Sequence, residues 1–290
     1  MLNRTSLKEV CLVTNASTDV TKTSINSAVP YPSRRLVRYF TRYSLWYLKR
    51  HFHAVRILED AISRLPETRQ MASGIVFMNH PSWWDPLVGV LLASRFFSNH
   101  THYVPMDSKM LEHYGFFRRL GFYGVSPGPQ GTKEFLDRSL QILKRPQSII
   151  WITPQGRFTD VRERPVQVKR GIGHIMSVAD SCFILPVAVE YVFGNHRLPE
   201  IRLNLGELRW KPDEQLMSVF TCCDFVVNSL ETAQNELAEA VQRGDGSKFE
   251  SLLDGGTGTG GIYGWWERVR KRVRPRRHTS DFRSSEENRS

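Results

Sequence analysis

A chain of 290 residues with a hydrophobic fraction of 40% can bury one large α/β core with appendages, which excludes both a disordered polymer and two independent domains of full size. Forty Lys and Arg against 29 Asp and Glu leave a net charge of +11, which favours anionic partners: phosphate-bearing substrates, nucleic acid or an anionic membrane face. The four cysteines, Cys11, Cys182, Cys222 and Cys223, show no metal-ligand spacing and fit a reduced intracellular setting; no window has the roughly eighteen charge-free apolar residues of a membrane span, and the N-terminus lacks a signal-peptide pattern.

Residues 1–32, rich in Thr, Ser and Asn, read as a disordered arm. Residues 33–65 read as an amphipathic helical segment. Leu36, Tyr39, Phe40, Tyr43, Leu45, Trp46, Leu48 and Phe52 recur at helical spacing among Arg34, Arg35, Arg38, Arg42, Lys49, Arg50 and Arg56, with no acid until Glu59. Rings and uncompensated arginines suit the headgroup boundary of a membrane, although a helix packed on a core shows the same pattern.

Residues 66–254 carry the main domain. Ile75 to Met78 form an apolar strand that delivers Asn79 and His80 into a Pro-Ser-Trp-Trp turn, and Asp85-Pro86 opens an apolar helix. A short strand follows at His102–Val104 and a short helix at Ser108–His113. The apolar run Phe116–Val125, which carries Arg118 and Arg119, ends in the turn Ser126-Pro127-Gly128-Pro129. Thr132–Leu143 reads as a helix, Gln147–Thr153 as a buried strand, Gly171–Ala179 as a helix and Phe183–Tyr191 as a strand. Ile201–Leu208 alternates as an edge strand would, and Ser229–Arg243 is helical. Residues 255–290 comprise a glycine linker, a basic aromatic helix around Trp265 and Trp266, and a polar tail. Strands alternating with helices predict a mixed, mainly parallel sheet flanked by helices, with the turns after Met78 and Thr153 opening on one side.

His80 and Asp85 lie five residues apart across the turn, a spacing at which a carboxylate can orient an imidazole acting as general base on a hydroxyl. Asp before Pro at a helix start equally describes an N-cap. Together, Asn79, His80, Pro81, Asp85 and Pro86 resemble the first motif of the glycerophospholipid acyltransferases, the family that includes 1-acylglycerol-3-phosphate acyltransferases. The resemblance continues through Lys169-Arg170-Gly171 to Ile184-Leu185-Pro186-Val187, so that it spans Gly74 to Tyr191.

Two departures stand out. Where the family carries Pro-Glu-Gly-Thr-Arg, this chain has Pro154-Gln155-Gly156-Arg157-Phe158, and the arginine that usually follows the Gly-aromatic strand is absent after Gly121-Phe122-Tyr123-Gly124-Val125. Arg118, Arg119, Arg157 and Lys169 are the cations left to bind a phosphate, alongside Asn79, Gln155 and Gly156 as substrate-binding residues, and the altered cations point to an acceptor other than lysophosphatidic acid.

The resemblance implies a glycerol-3-phosphate acyltransferase-like fold and an O-acyltransferase. Its donor would be acyl-CoA or acyl carrier protein and its acceptor a lysophospholipid or other lipid, with no metal or prosthetic group; an oxyanion donor is expected near Gly156. The enzyme is placed peripherally or monotopically on the cytoplasmic face of an anionic membrane. A catalytically silent lipid-binding protein of the same fold is the alternative.

Other signals are weaker. Gly124-Val125-Ser126-Pro127-Gly128 matches a hydrolase elbow formally, but Pro127 lacks the N–H the elbow needs, and Pro129 argues against an immediate helix. His100, His102 and His113 lack a completing ligand and read as strand or loop histidines. No nucleic-acid-binding signature accompanies the basic clusters.

Overall fold

The computed structural model describes residues 29–211, 218–244 and 246–256. Helix α1 (Arg34–His51) leads into β1 (Ala54–Leu58), the short α2 (Glu59–Ser63) and a 3₁₀ turn (Glu67–Met71). The site region follows as β2 (Gly74–Met78) and α3 (Asp85–Phe96), then β3 (Thr101–Asp107), α4 (Ser108–His113), a 3₁₀ turn (Gly115–Leu120) and β4 (Phe122–Val125). After α5 (Gly128–Leu143) and β5 (Ser148–Ile152), a long loop reaches α6 (Arg170–Val178) and β6 (Phe183–Val192). The described part ends with β7 (Glu200–Leu205), β8 (Arg209–Trp210), α7 (Val219–Gln242), a 3₁₀ turn (Gly246–Lys248) and β9 (Phe249–Asp254).

The strands form one sheet in the order β4-β3-β5-β2-β6-β7-β1-β9, with β8 paired to the start of β6. From β4 to β6 all neighbours are parallel; β7 runs antiparallel to β6, β1 parallel to β7, and β9 antiparallel to β1. The mixed, mainly parallel sheet expected from the sequence is the one observed.

Helices cover both faces. Every residue of β2 is buried, because Val76 and Met78 pack with α1 and α3 on one face while Ile75 and Phe77 pack with α5, α6 and α7 on the other. That two-sided burial explains why β2 and β5 read as unbroken apolar runs rather than alternating ones.

The structure corrects four expectations of local structure. The segment 33–65 is not helical throughout: beyond Phe52, Ala54, Val55 and Ile57 enter the sheet between β7 and β9, so the domain begins before residue 66. The stretch at 201–208 is no edge strand, since β7 lies between β6 and β1. Its polar positions mimic an edge because they find partners inside: the Asn204 amide N–H groups donate to the Ala233 carbonyl and Glu236, and Arg202 meets Glu200 and the ring of Phe249. Helix α7 starts ten residues before Ser229, capped by Ser218, whose hydroxyl accepts from the Thr221 N–H; Thr221, Cys222 and Asp224 are poor helix formers that hid this extension. Helix α5 follows Pro127 directly, because Pro129 occupies its first turn, where no backbone N–H is required. Residues 1–28 of the expected arm and the segment beyond residue 256 lie outside the described residues.

Candidate active site

The site is built where β2 leaves the sheet. Asn79 is 1% exposed, and its carboxamide donates to the Val189 carbonyl at 2.9 Å and accepts from the Val189 N–H at 2.8 Å. A side chain thus extends the β2–β6 ladder by one more pair of bonds and frees the main chain to turn. Each end of its amide thus makes one bond to the sheet.

His80 comes next. Its N–H donates to Gln155 Oε1 at 3.1 Å and its carbonyl accepts from the Thr159 N–H at 3.0 Å, which ties the turn after β2 to the loop after β5. Buried Gln155 therefore holds His80 in place, a role that needs a carbonyl oxygen and no charge.

His80 Nδ1 and Asp85 Oδ2 are 2.6 Å apart; with Asp85 ionised, Nδ1–H is the donor and Nε2 carries the lone pair. Asp85 Oδ2 also accepts from the Ser82 N–H at 3.0 Å, and Oδ1 accepts from the Tyr191 hydroxyl at 2.6 Å. Although Asp85 opens α3 beside Pro86, its carboxylate bonds backwards into the turn instead of capping the helix. Only 1% of the Asp85 side chain is exposed against 20% of His80, so the pair is a fixed carboxylate behind an accessible imidazole. Burial, with the Asp85 carboxylate adding to it, pushes the Tyr191 phenol far above its ordinary value, and Tyr191 stays a donor. Among the described residues no hydrogen-bond partner meets His80 Nε2; the ring of Phe158 lies 4.4 Å from the imidazole, centroid to centroid.

Beside the pair opens a cleft of about 610 Å³ whose wall includes Pro81, Phe158, Thr159, Arg162, Glu190 and Tyr191. Glu190 is held above the usual carboxylate range by burial, with Arg162 opposing the effect.

The proposed phosphate-binding cations are not gathered here. Arg118 and Arg119 precede β4, three strands from β2 and on the order of 14 Å away at the usual strand spacing of about 4.8 Å. Arg157 pairs with Glu163. Lys169 does reach the turn after β5: its N–H donates to the Pro154 carbonyl at 2.8 Å, and its side chain crosses Gly156 so closely that a Cβ there would lie 2.6 Å from Lys169 Cε. With φ at +63° as well, residue 156 favours glycine. The Gly156 N–H donates to the Thr153 carbonyl at 3.1 Å, which takes it away from the oxyanion role expected near it.

Ser126 of the formal elbow sits between β4 and α5, bonded to Ser108 Oγ at 2.9 Å and well apart from His80. His100 and His102 bond to backbone carbonyls and to Trp151. A different trio, His53, His196 and Glu200, brings its ligand atoms within 4.8 Å of one another, but Arg56 and Arg202 already flank the Glu200 carboxylate and leave little negative charge for a cation.

The sheet order, the flanking helices and the His80 turn at the carboxyl end of β2 make a mixed α/β domain with the His–Asp pair at one end of its parallel strands. The acyltransferase family model matches residues 61–190, a match that supports the resemblance to the glycerophospholipid acyltransferases and an acyl-transferring enzyme. No curated protein shows a significant match to the chain. Sequence reasoning missed Tyr191, the last residue of the stretch that carries the resemblance, because no spacing rule links it to Asp85, 106 positions away.

Proposed function

We propose that this protein is a membrane-associated O-acyltransferase that moves an acyl group from acyl-CoA or acyl carrier protein to a hydroxyl of a lysophospholipid or other lipid acceptor. The observation that carries this reading is the 2.6 Å bond from His80 Nδ1 to the buried Asp85, which leaves Nε2 as the base. As the acceptor oxygen attacks the thioester carbonyl carbon, its proton passes to Nε2, and Asp85 stabilises the imidazolium that forms. The tetrahedral oxyanion then collapses, the C–S bond breaks, and the leaving thiolate takes the proton from the imidazolium.

The membrane reading is supported by α1. Tyr39, Tyr43 and Trp46 are exposed on a helix with five arginines and a lysine, and the same helix packs Tyr47 and His51 against Trp84 of the catalytic turn. Such a surface fits anionic headgroups of a cytoplasmic leaflet and holds the site beside its lipid. No described helix is long and apolar enough to cross a membrane.

The decisive experiment measures release of free thiol from acyl-CoA in the presence of hydroxyl lipids. His80→Ala is expected to lose at least about 10²–10⁴-fold in turnover with its circular dichroism unchanged. Near-normal turnover in that variant refutes the role of His80.

A further inference from the structure

We propose that the catalytic turn itself enters the membrane interface through Trp83, so that His80 receives its acceptor from the bilayer surface and not from water; the proposal rests on the membrane-associated acyl-transfer reading above. Trp83 and Trp84 lie in the turn between His80 and Asp85. Trp84 takes the inner place: its ring lies 5.3 Å from Tyr47, 5.2 Å from His51 and 4.9 Å, edge on, from Phe52. With that place filled, Trp83 faces outward, 57% exposed, its ring 4.2 Å from that of Trp84. An indole left in water forgoes the burial of one of the largest apolar surfaces a side chain carries.

Trp83 is not isolated. At about 3.6 residues per turn, Tyr39, Tyr43 and Trp46 form one outward stripe on α1. Exposed Arg35, Arg38, Arg42 and Lys49 line one flank of that stripe, and Tyr47 and His51 line the other. Ring contacts join the stripe to the turn: Tyr43 to Tyr47 at 5.6 Å, Tyr47 to Trp84 at 5.3 Å and Trp84 to Trp83 at 4.2 Å. Tyr43, Trp46 and Trp83 are therefore parts of one aromatic band, and exposed Phe158 carries ring surface to the imidazole of His80, 4.4 Å away. A contiguous exposed band marks an interaction surface, whereas single exposed rings do not.

Charge identifies the partner. Helix α1 carries five arginines, one lysine and no acidic residue, and the Arg50 guanidinium stands 5.9 Å over the ring of Trp46. Indole and phenol rings among uncompensated cations suit an anionic bilayer, where the rings sit at headgroup level and the cations meet lipid phosphate. The core of a protein interface is instead depleted of charge, lysine included. Because Trp83 is three residues from His80, a band lying at headgroup level sets the base at the depth where a lipid hydroxyl is found.

Quenching by brominated lipid tests this on the full chain, with vesicles of phosphatidylserine and chain-brominated phosphatidylcholine. Trp83→Phe keeps an apolar ring and removes the fluorophore, so fractional quenching is expected to be smaller in this variant than in wild type. Equal quenching overturns the insertion. Kinetics give an independent reading, from thiol release by acyl-CoA with a hydroxyl lipid held in vesicles and with its short-chain analogue dissolved as monomers. Trp83→Ser is expected to lower the ratio of vesicle to monomer turnover roughly tenfold, the scale of withdrawing one aromatic side chain from an apolar phase. An unchanged ratio overturns the proposal as well. Failure of the membrane reading looks different: wild type itself then does not float with the vesicles, as a surface built for a protein would behave, and the proposal falls with it. Failure of acyl transfer shows as no thiol release with either acceptor, and the quenching still decides whether Trp83 inserts.

Discussion

Tyr191 donates a 2.6 Å hydrogen bond to Asp85 Oδ1, so the carboxylate that orients His80 is itself held from the opposite side by a strand residue. Removing the hydroxyl in Tyr191→Phe keeps the ring, which packs against Phe52, and takes away one donor to a charged acceptor. A bond of that kind is worth about 1.5–3 kcal/mol, so turnover is expected to fall roughly 10- to 100-fold while the thermal melt shifts little. Steady-state kinetics with unchanged turnover would show that Ser82 and His80 alone suffice to hold Asp85.

Asp85→Asn separates catalysis from architecture. An asparagine can still accept from the Ser82 N–H, yet it cannot stabilise an imidazolium. The expected variant is folded, binds lipid and turns over several orders of magnitude more slowly. Loss of fold instead would assign Asp85 a structural role.

The sheet extension at Asn79 should appear in stability. Asn79→Leu strands both the N–H and the carbonyl of Val189 in a buried setting, at a cost of about 2–4 kcal/mol. Urea denaturation reads this directly, and a midpoint equal to wild type contradicts the assignment.

His102 should make the fold sensitive to acid. It accepts from the Trp151 indole at 3.1 Å and donates to the Phe97 carbonyl at 3.1 Å, and burial pushes its pKa down to about 4 from an ordinary 6.5. The unfolded chain takes up a proton near 6.5 that the folded chain refuses until about 4, so stability is whole above 6.5 and is lost as pH falls through that window, about 3 kcal/mol at most. His100 is lowered by burial too and acts in the same sense. His102→Gln keeps an acceptor and a donor without titrating; its urea midpoint is expected to fall less than that of wild type between pH 7 and pH 5, and equal falls would exclude His102.

The membrane face on α1 is open to the same kind of check. Tyr39 is 70% and Trp46 55% exposed, so replacing both by serine leaves the core alone. Flotation with vesicles containing phosphatidylserine is expected to show at least about tenfold weaker binding, the scale of losing one buried aromatic side chain. Unaltered flotation would move the contact elsewhere.

Local chemistry in the chain was enough to read the His80 turn. An apolar run, a tight turn and an Asp five residues on are all set by neighbours in sequence, and so were the sheet class and most of its strands. Partners distant in sequence were not readable: Tyr191 on Asp85, Val189 on Asn79, and Gln155 beneath His80 are separated from their contacts by 75 to 110 positions. Tertiary structure likewise dispersed the arginines that charge alone had grouped, since β4 lies three strands from β2 and Arg157 finds Glu163. The sequence by itself determined which groups could perform acid–base chemistry, because that depends on residue type and local spacing. Only strand order, and the burial that follows from it, decided which of them share a site and which hydroxyls and carboxylates hold them there.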